Sequence, residues 1–150
     1  VSDAAALVSS AKKWATYYGE HANGRAGAVL TAPLRVRAAW DTGDAEALAA
    51  MFVDNGSMLL GDRQLTSRDE IRDYLTEAFA GDYRGSRLVE DIRDITELSG
   101  TVALAVGEGA IVPAGRDEPE PGAALRTMWV VVKRDGDWRV ASWQSSPVTG

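Results

Sequence analysis

The stretch WRVASWQSSP (Trp138–Pro147) reads as the closing strand of a sheet, and its alternate positions Trp138, Val140, Ser142, Gln144 and Ser146 pass from apolar to polar along one face. Just before it, Asp135-Gly136 is a two-residue hairpin signal, which joins it to the apolar run ALRTMWVVVK (Ala124–Lys133). RLVEDIRDI (Arg87–Ile95) and TVALAVGEGAIV (Thr101–Val112) complete a set of four strands. PAGRDEPEPG (Pro113–Gly122) is a longer, acidic, proline-rich connection at one rim.

Upstream of the strands the period changes to that of helices. TAPLRVRAAWDTG offers Thr31 as a cap, Pro33 early in the first turn and Gly43 as the stop. Asp44 caps a second helix, with Leu48, Met51 and Phe52 on one side, before Asp54–Gly56 turns the chain. SMLL (Ser57–Leu60) is a brief strand, and the Ser-x-x-Glu box of Ser67–Glu70 opens a third helix that Gly81 closes. Helices first and antiparallel strands later predict an α+β fold, with three helices on the concave face of a curved antiparallel sheet. Leu7, Ala11, Trp14 and Tyr18 make an apolar stripe on a helical arm, and the glycine-rich stretch from Gly19 to Gly27 links it to the body. The expected division is an arm and linker over residues 1–30 and a single domain over 31–150.

Composition narrows the function. At 150 residues, 45% hydrophobic and 25% charged, the chain fits one core, and no apolar run approaches the length of a membrane span. A net charge of −6, without a basic stripe interleaved with aromatics, disfavours nucleic acid. The absence of cysteine removes disulfides, thiol nucleophiles and thiolate metal sites, and a single histidine, His21 in the linker, cannot build a histidine metal centre. No cofactor is expected. The first residues lack the pattern of a signal peptide, so the expected compartment is the cytoplasm.

Val102–Val106 and Met128–Val132 are apolar at nearly every position, so both faces of the sheet need cover. The helices supply the concave side. For the convex side, with Trp143 and Trp129, the expectation is a two-fold homodimer, the alternative being the arm of residues 3–18 folded over it.

The order helix, helix, short strand, capped helix, four long strands, ending in RDGDWRVASWQSSP, resembles the SnoaL-like, nuclear-transport-factor-2-like superfamily over roughly residues 31 to 147. GDAEALAAMF, SRDEIRDYL, VALAVGEGAIV and the Trp-x-Val-x-x-Trp-Gln ending are similar to its SgcJ/EcaC-type subgroup, whose members occur in natural-product gene clusters, including those for enediynes. Ser67 departs from the pattern, which more often has glycine there. The resemblance implies a cone enclosing an apolar pocket, with Val140 deep inside it and Ser142 and Gln144 lining it. It also implies a small hydrophobic ligand such as a polyketide or enediyne-type intermediate.

The resemblance implies an acid in the cone for isomerising or cyclising members, but SMLL, one place where such an acid stands, has none. Glu108 shares a side with Val102, Leu104 and Val106; facing the cone it is a candidate general base, and near the strand end it is a solvated or arginine-paired acid. Arg126, in one register, faces inward with Met128 beside Gln144, where it can pair with Glu108 or hold a ligand oxyanion. Ser142 and Gln144 either meet a ligand or bond to each other or to water. Trp40 and Tyr74 are either aromatic walls of the pocket or plain core. Two functional classes stay open, a cofactor-free isomerase or cyclase and a non-catalytic binding protein, with an adaptor using the convex face as a third.

Overall fold

A computed structural model describes residues 25–148. The elements run α1 (Arg25–Asp41), α2 (Ala45–Ala50), β1 (Phe52–Leu60), β2 (Arg63–Leu65), α3 (Arg68–Ala80), β3 (Arg87–Ser99), β4 (Val102–Val112), β5 (Leu125–Arg134) and β6 (Asp137–Pro147). The six strands form one sheet in the order β2-β1-β6-β5-β4-β3. Every neighbouring pair is antiparallel except β1 with β6, which is parallel. The helices pack on one face, the inner one, where Trp40, Leu48, Ile71 and Leu75 join Met58, Trp129, Val131 and Trp143 in a single buried core.

Local chemistry fixes the helix ends. The Asp44 carboxylate accepts the Ala47 N–H at 2.9 Å, and the Ser67 hydroxyl accepts the Glu70 N–H at 3.1 Å. Glu70 reaches back to the Thr66 N–H at 2.9 Å rather than to that of Ser67, so the box is displaced by one residue. Gly81 closes α3, as expected.

Two expected boundaries move. Helix α1 begins at Arg25, so Pro33 lies inside it and Thr31 is no cap; its hydroxyl donates to Ala28 O at 2.7 Å within the helix. Asp54–Gly56 does not turn the chain but lies within β1, where the register against β6 shifts between Phe52 and Ser57. Gly56 is buried there, and a Cβ on it would stand 3.0 Å from both the Phe52 ring and Val53 O, so a larger residue would crowd the irregularity. The arm of residues 3–18 and His21 lie outside the described residues.

A β-bulge in β6 sets the geometry of everything that follows. Val130 pairs with Ser142 but Val131 pairs with Val140, which leaves Ala141 as an extra residue. Trp138 and Val140 are therefore buried on the inner face before the bulge, and Trp143 and Ser145 after it.

Candidate functional site

The bulge reverses the expected orientation of the sheet residues. Strict alternation from Trp138 would carry Ser142 and Gln144 inward, but the extra residue turns them to the outer face and turns Trp143 in. Trp129 and Trp143 are both fully buried, so the expectation that they cover the convex face is overturned. The grouping read from the sequence nevertheless holds. Glu108 pairs across the ladder with Arg126, Val106 with Met128 and Met128 with Gln144, and all of them face outward. They border an apolar hollow of about 400 Å³ floored by Leu59, Val106 and Met128.

There the acid and base are partly solvated. Glu108 lies 3.6 Å from Arg93 and is not enclosed by the cone, so the condition for a buried general base at this position is not met. Ser142 and Gln144 bond to each other: Gln144 Nε2 donates to Ser142 Oγ at 2.8 Å, and Ser57 Oγ donates to the same oxygen at 2.8 Å. Of the expected aromatic walls, Trp40 is buried core whose indole N–H donates to Ser86 Oγ at 3.0 Å. Tyr74 is half-buried in a different groove, with the Arg63 guanidinium 5.1 Å above its ring.

The inner face holds the buried acid that the sequence reading missed. Alternation along β3 brings Leu88, Glu90 and Ile92 inward, and Glu90 is only 6% exposed. Two features hold it there. Asp41, at the end of α1, accepts the Leu88 N–H at 2.9 Å and ties β3 to the helix layer. Gly107 and Gly109 on β4 let β3 pass so close that a Cβ on either would collide with the carbonyl of Asp91 or Val89.

Around the Glu90 carboxyl stand Trp129, Thr127, Trp143 and Arg37. Trp129 Nε1–H donates to Glu90 Oε2 at 2.8 Å. Arg37, 3% exposed, donates from Nε to Leu88 O at 3.3 Å. Burial pushes the Glu90 carboxyl above the usual carboxylate range; Thr127, Trp129, Arg37 and Trp143 offset part of that shift by favouring the charged form. The Thr127 hydroxyl and Trp143 indole act at geometries short of a hydrogen bond, for Glu90 Oε1, Thr127 Oγ1 and Trp143 Nε1 are each buried without a hydrogen-bond partner among the described residues. Burial likewise pulls the Arg37 guanidinium below its ordinary value, against the opposing charges of Glu90 and Asp41. A buried carboxyl of raised proton affinity beside an indole N–H and a hydroxyl is suited to accepting and returning a proton while a neighbouring oxygen is stabilised. Among the described residues no cluster of three or more His, Cys, Asp or Glu side chains is arranged to hold a metal ion.

Residues 29–150 match the family model described as the SnoaL-like domain. The chain belongs to the SnoaL-like domain family. Solved structures of this shape include a Nostoc punctiforme domain of unknown function with a cystatin-like fold, at a TM-score of 0.74 and 21% identity over 83% of this chain and 77% of that one. A Novosphingobium aromaticivorans protein described as NTF2-like with a cystatin-like fold gives 0.71 and 17%, covering 90% and 89%. A ketosteroid isomerase-like protein from Erwinia carotovora atroseptica gives 0.66 and 16%, covering 83% and 96%. No curated protein sequence matches. At these identities the structures establish for this SnoaL-like chain the cystatin-like, NTF2-like fold, as expected, and no more. No helix among the described residues is long and apolar enough to cross a membrane.

Proposed function

We propose that this SnoaL-like domain binds a small, largely apolar molecule with one oxygen-bearing head inside the cone, and that Glu90 exchanges a proton with it. The observation that carries this reading is a set of three buried polar atoms, Glu90 Oε1, Thr127 Oγ1 and Trp143 Nε1, each without a hydrogen-bond partner among the described residues, in a core made mostly of aromatic and aliphatic side chains. Each such atom costs about 1–3 kcal/mol when unsatisfied, and a ligand head that accepts from Trp143 and Thr127 removes that cost. In the catalytic form of the proposal Glu90 takes a proton from the carbon next to a carbonyl, the oxyanion is held by the indole N–H and the hydroxyl, and the proton returns to a different carbon. That is a cofactor-free isomerisation, or a cyclisation where the carbanion meets an internal electrophile. The resemblance to the SgcJ/EcaC-type subgroup supports a polyketide or enediyne-type intermediate as the substrate class.

A thermal-shift titration with polyketide-like aromatics and enediyne-type fragments tests binding. At a hundredfold over Kd the gain is about 2.7 kcal/mol, or several degrees in a domain of this size. Saturable stabilisation that is lost in Trp143→Phe supports the cone as the site; no stabilisation by any compound, or the same stabilisation in that variant, overturns it. Exchange of a ligand's carbon-bound hydrogen with solvent, followed by NMR, should stop in Glu90→Gln while binding persists. Binding without exchange in the wild type leaves the non-catalytic carrier as the function.

We also infer that the outer face docks a second copy of the chain, making a homodimer. Met128 is 43% and Val106 36% exposed, side by side in the sheet. The guanidinium of Arg126 and the carboxylate of Glu108 occupy paired positions, so a two-fold axis through this face sets the cation of one copy against the anion of the other. Met128→Asp should sediment as a monomer; an unchanged dimer would put the interface elsewhere.

A further inference from the structure

We propose that the groove between α2, the beginnings of β1 and α3, and the β5–β6 hairpin binds a phosphoryl group through Arg134 and Arg139. It encloses about 590 Å³, within the usual range of small-molecule sites, and is lined by Arg68, Arg72, Arg134 and Arg139, with Glu46, Asp54 and Asp135 as its acids. Four of the 16 basic residues of a chain with net charge −6 thus meet in one depression.

The four arginines differ in what already occupies them. Arg68 is braced through Nε and Nη2 on Phe52 O at 2.9 and 2.7 Å, and its charge is met by Asp54 at 2.8 Å. Arg72 is met by Asp69 at 3.3 Å and Asp73 at 3.1 Å. These two build the wall. Arg139 is held instead by a neutral acceptor, Ala50 O at 2.8 Å, which fixes the head without cancelling its charge. Arg134 has no hydrogen-bonded or ionic partner among the described residues.

Two guanidinium groups on the paired strands beside one hairpin turn, one fixed and one open, fit an oxyanion that spreads nearly two charges over several acceptor oxygens. Glu46 and Asp135 oppose anions and set the lower limit: a single carboxylate gains little against them, whereas a phosphate monoester or a diphosphate carries the charge and the oxygens to engage both arginines. The site is separate from the cone, shares no residue with it and stands whether or not Glu90 moves a proton.

The test uses inorganic pyrophosphate as the probe, against potassium chloride at matched ionic strength, with melting temperature and calorimetric titration as readouts. A saturable rise of about 5 °C or more over chloride is expected at a hundredfold over Kd. The Arg134→Gln/Arg139→Gln double variant should keep the wild-type melting temperature in chloride and lose the rise. Should the double variant fold poorly, Arg134→Gln alone, at an exposed position, should still weaken pyrophosphate by about tenfold through loss of one charge-assisted contact. A wild-type rise no greater than that with chloride overturns the proposal, as does an affinity unchanged in Arg134→Gln.

Discussion

The two faces of the sheet carry polar groups in opposite ways. On the inner face a carboxyl, 6% exposed, stands near a buried guanidinium among indoles and a hydroxyl, and three of these groups' atoms have no hydrogen-bond partner among the described residues. On the outer face it is dispersed: Ser57, Ser142 and Gln144 satisfy one another, and Glu108 stands 3.6 Å from Arg93 with solvent at hand. The same residue types are thus withdrawn from water on one side and solvated on the other. Burial makes the difference, since a carboxyl deprived of water binds its proton more tightly, as Glu90 does.

That contrast can be broken at its origin. Deleting Ala141 removes the bulge and sends Trp143 and Ser145 outward, so cooperative thermal unfolding, followed by circular dichroism, should disappear. Trp143→Ala, at a fully buried position, should cost about 3–5 kcal/mol in urea unfolding, whereas Met128→Ala on the exposed side should stay within about 0.5 kcal/mol in the monomer. Equal costs would mean that the faces are assigned the wrong way round. Trp129→Phe keeps most of the packing but removes the donor to Glu90 Oε2, and should cost about 1.5–3 kcal/mol.

The smallest effect concerns pH. Glu90 binds its proton more tightly folded than unfolded, where its pKa is about 4.3. The stability this gives is complete below that value and is lost as pH rises through the higher folded value, beyond which it stays flat. Glu90→Gln removes this dependence, so the variant's melting temperature relative to the wild type should be more favourable at pH 8 than at pH 5. A constant difference across that range would show that Glu90 does not titrate abnormally.

Much of the fold was legible because its signals are local. Asp44, Ser67 and Gly81 cap what they should, Asp135-Gly136 makes the hairpin, and one of the registers open to strand alternation is the one that gathers Glu108, Arg126, Met128 and Gln144. The site was harder to read, for one physical reason. Period-two reading preserves which residues share a face but not which face it is, and with both sides of β5 apolar nothing in the pattern exposed the extra residue in β6. The sign was lost at Ala141, and the cone with it. Glu90 did carry a signal: an acid between Leu88 and Ile92 on one face of RLVEDIRDI, in the position where an aliphatic residue continues the pattern. Asp54–Gly56 failed differently, since a turn sequence and a strand irregularity both call for glycine.

The indole of Trp129 bonded to Glu90, with the Trp143 ring 5.4 Å from it, has a practical meaning beyond packing. Two fluorophores flank the buried Glu90 carboxyl, and a charge appearing beside an indole displaces its emission. Ionisation of Glu90 should therefore shift the protein's own tryptophan emission, a change that a pH titration can read in the absence of any ligand.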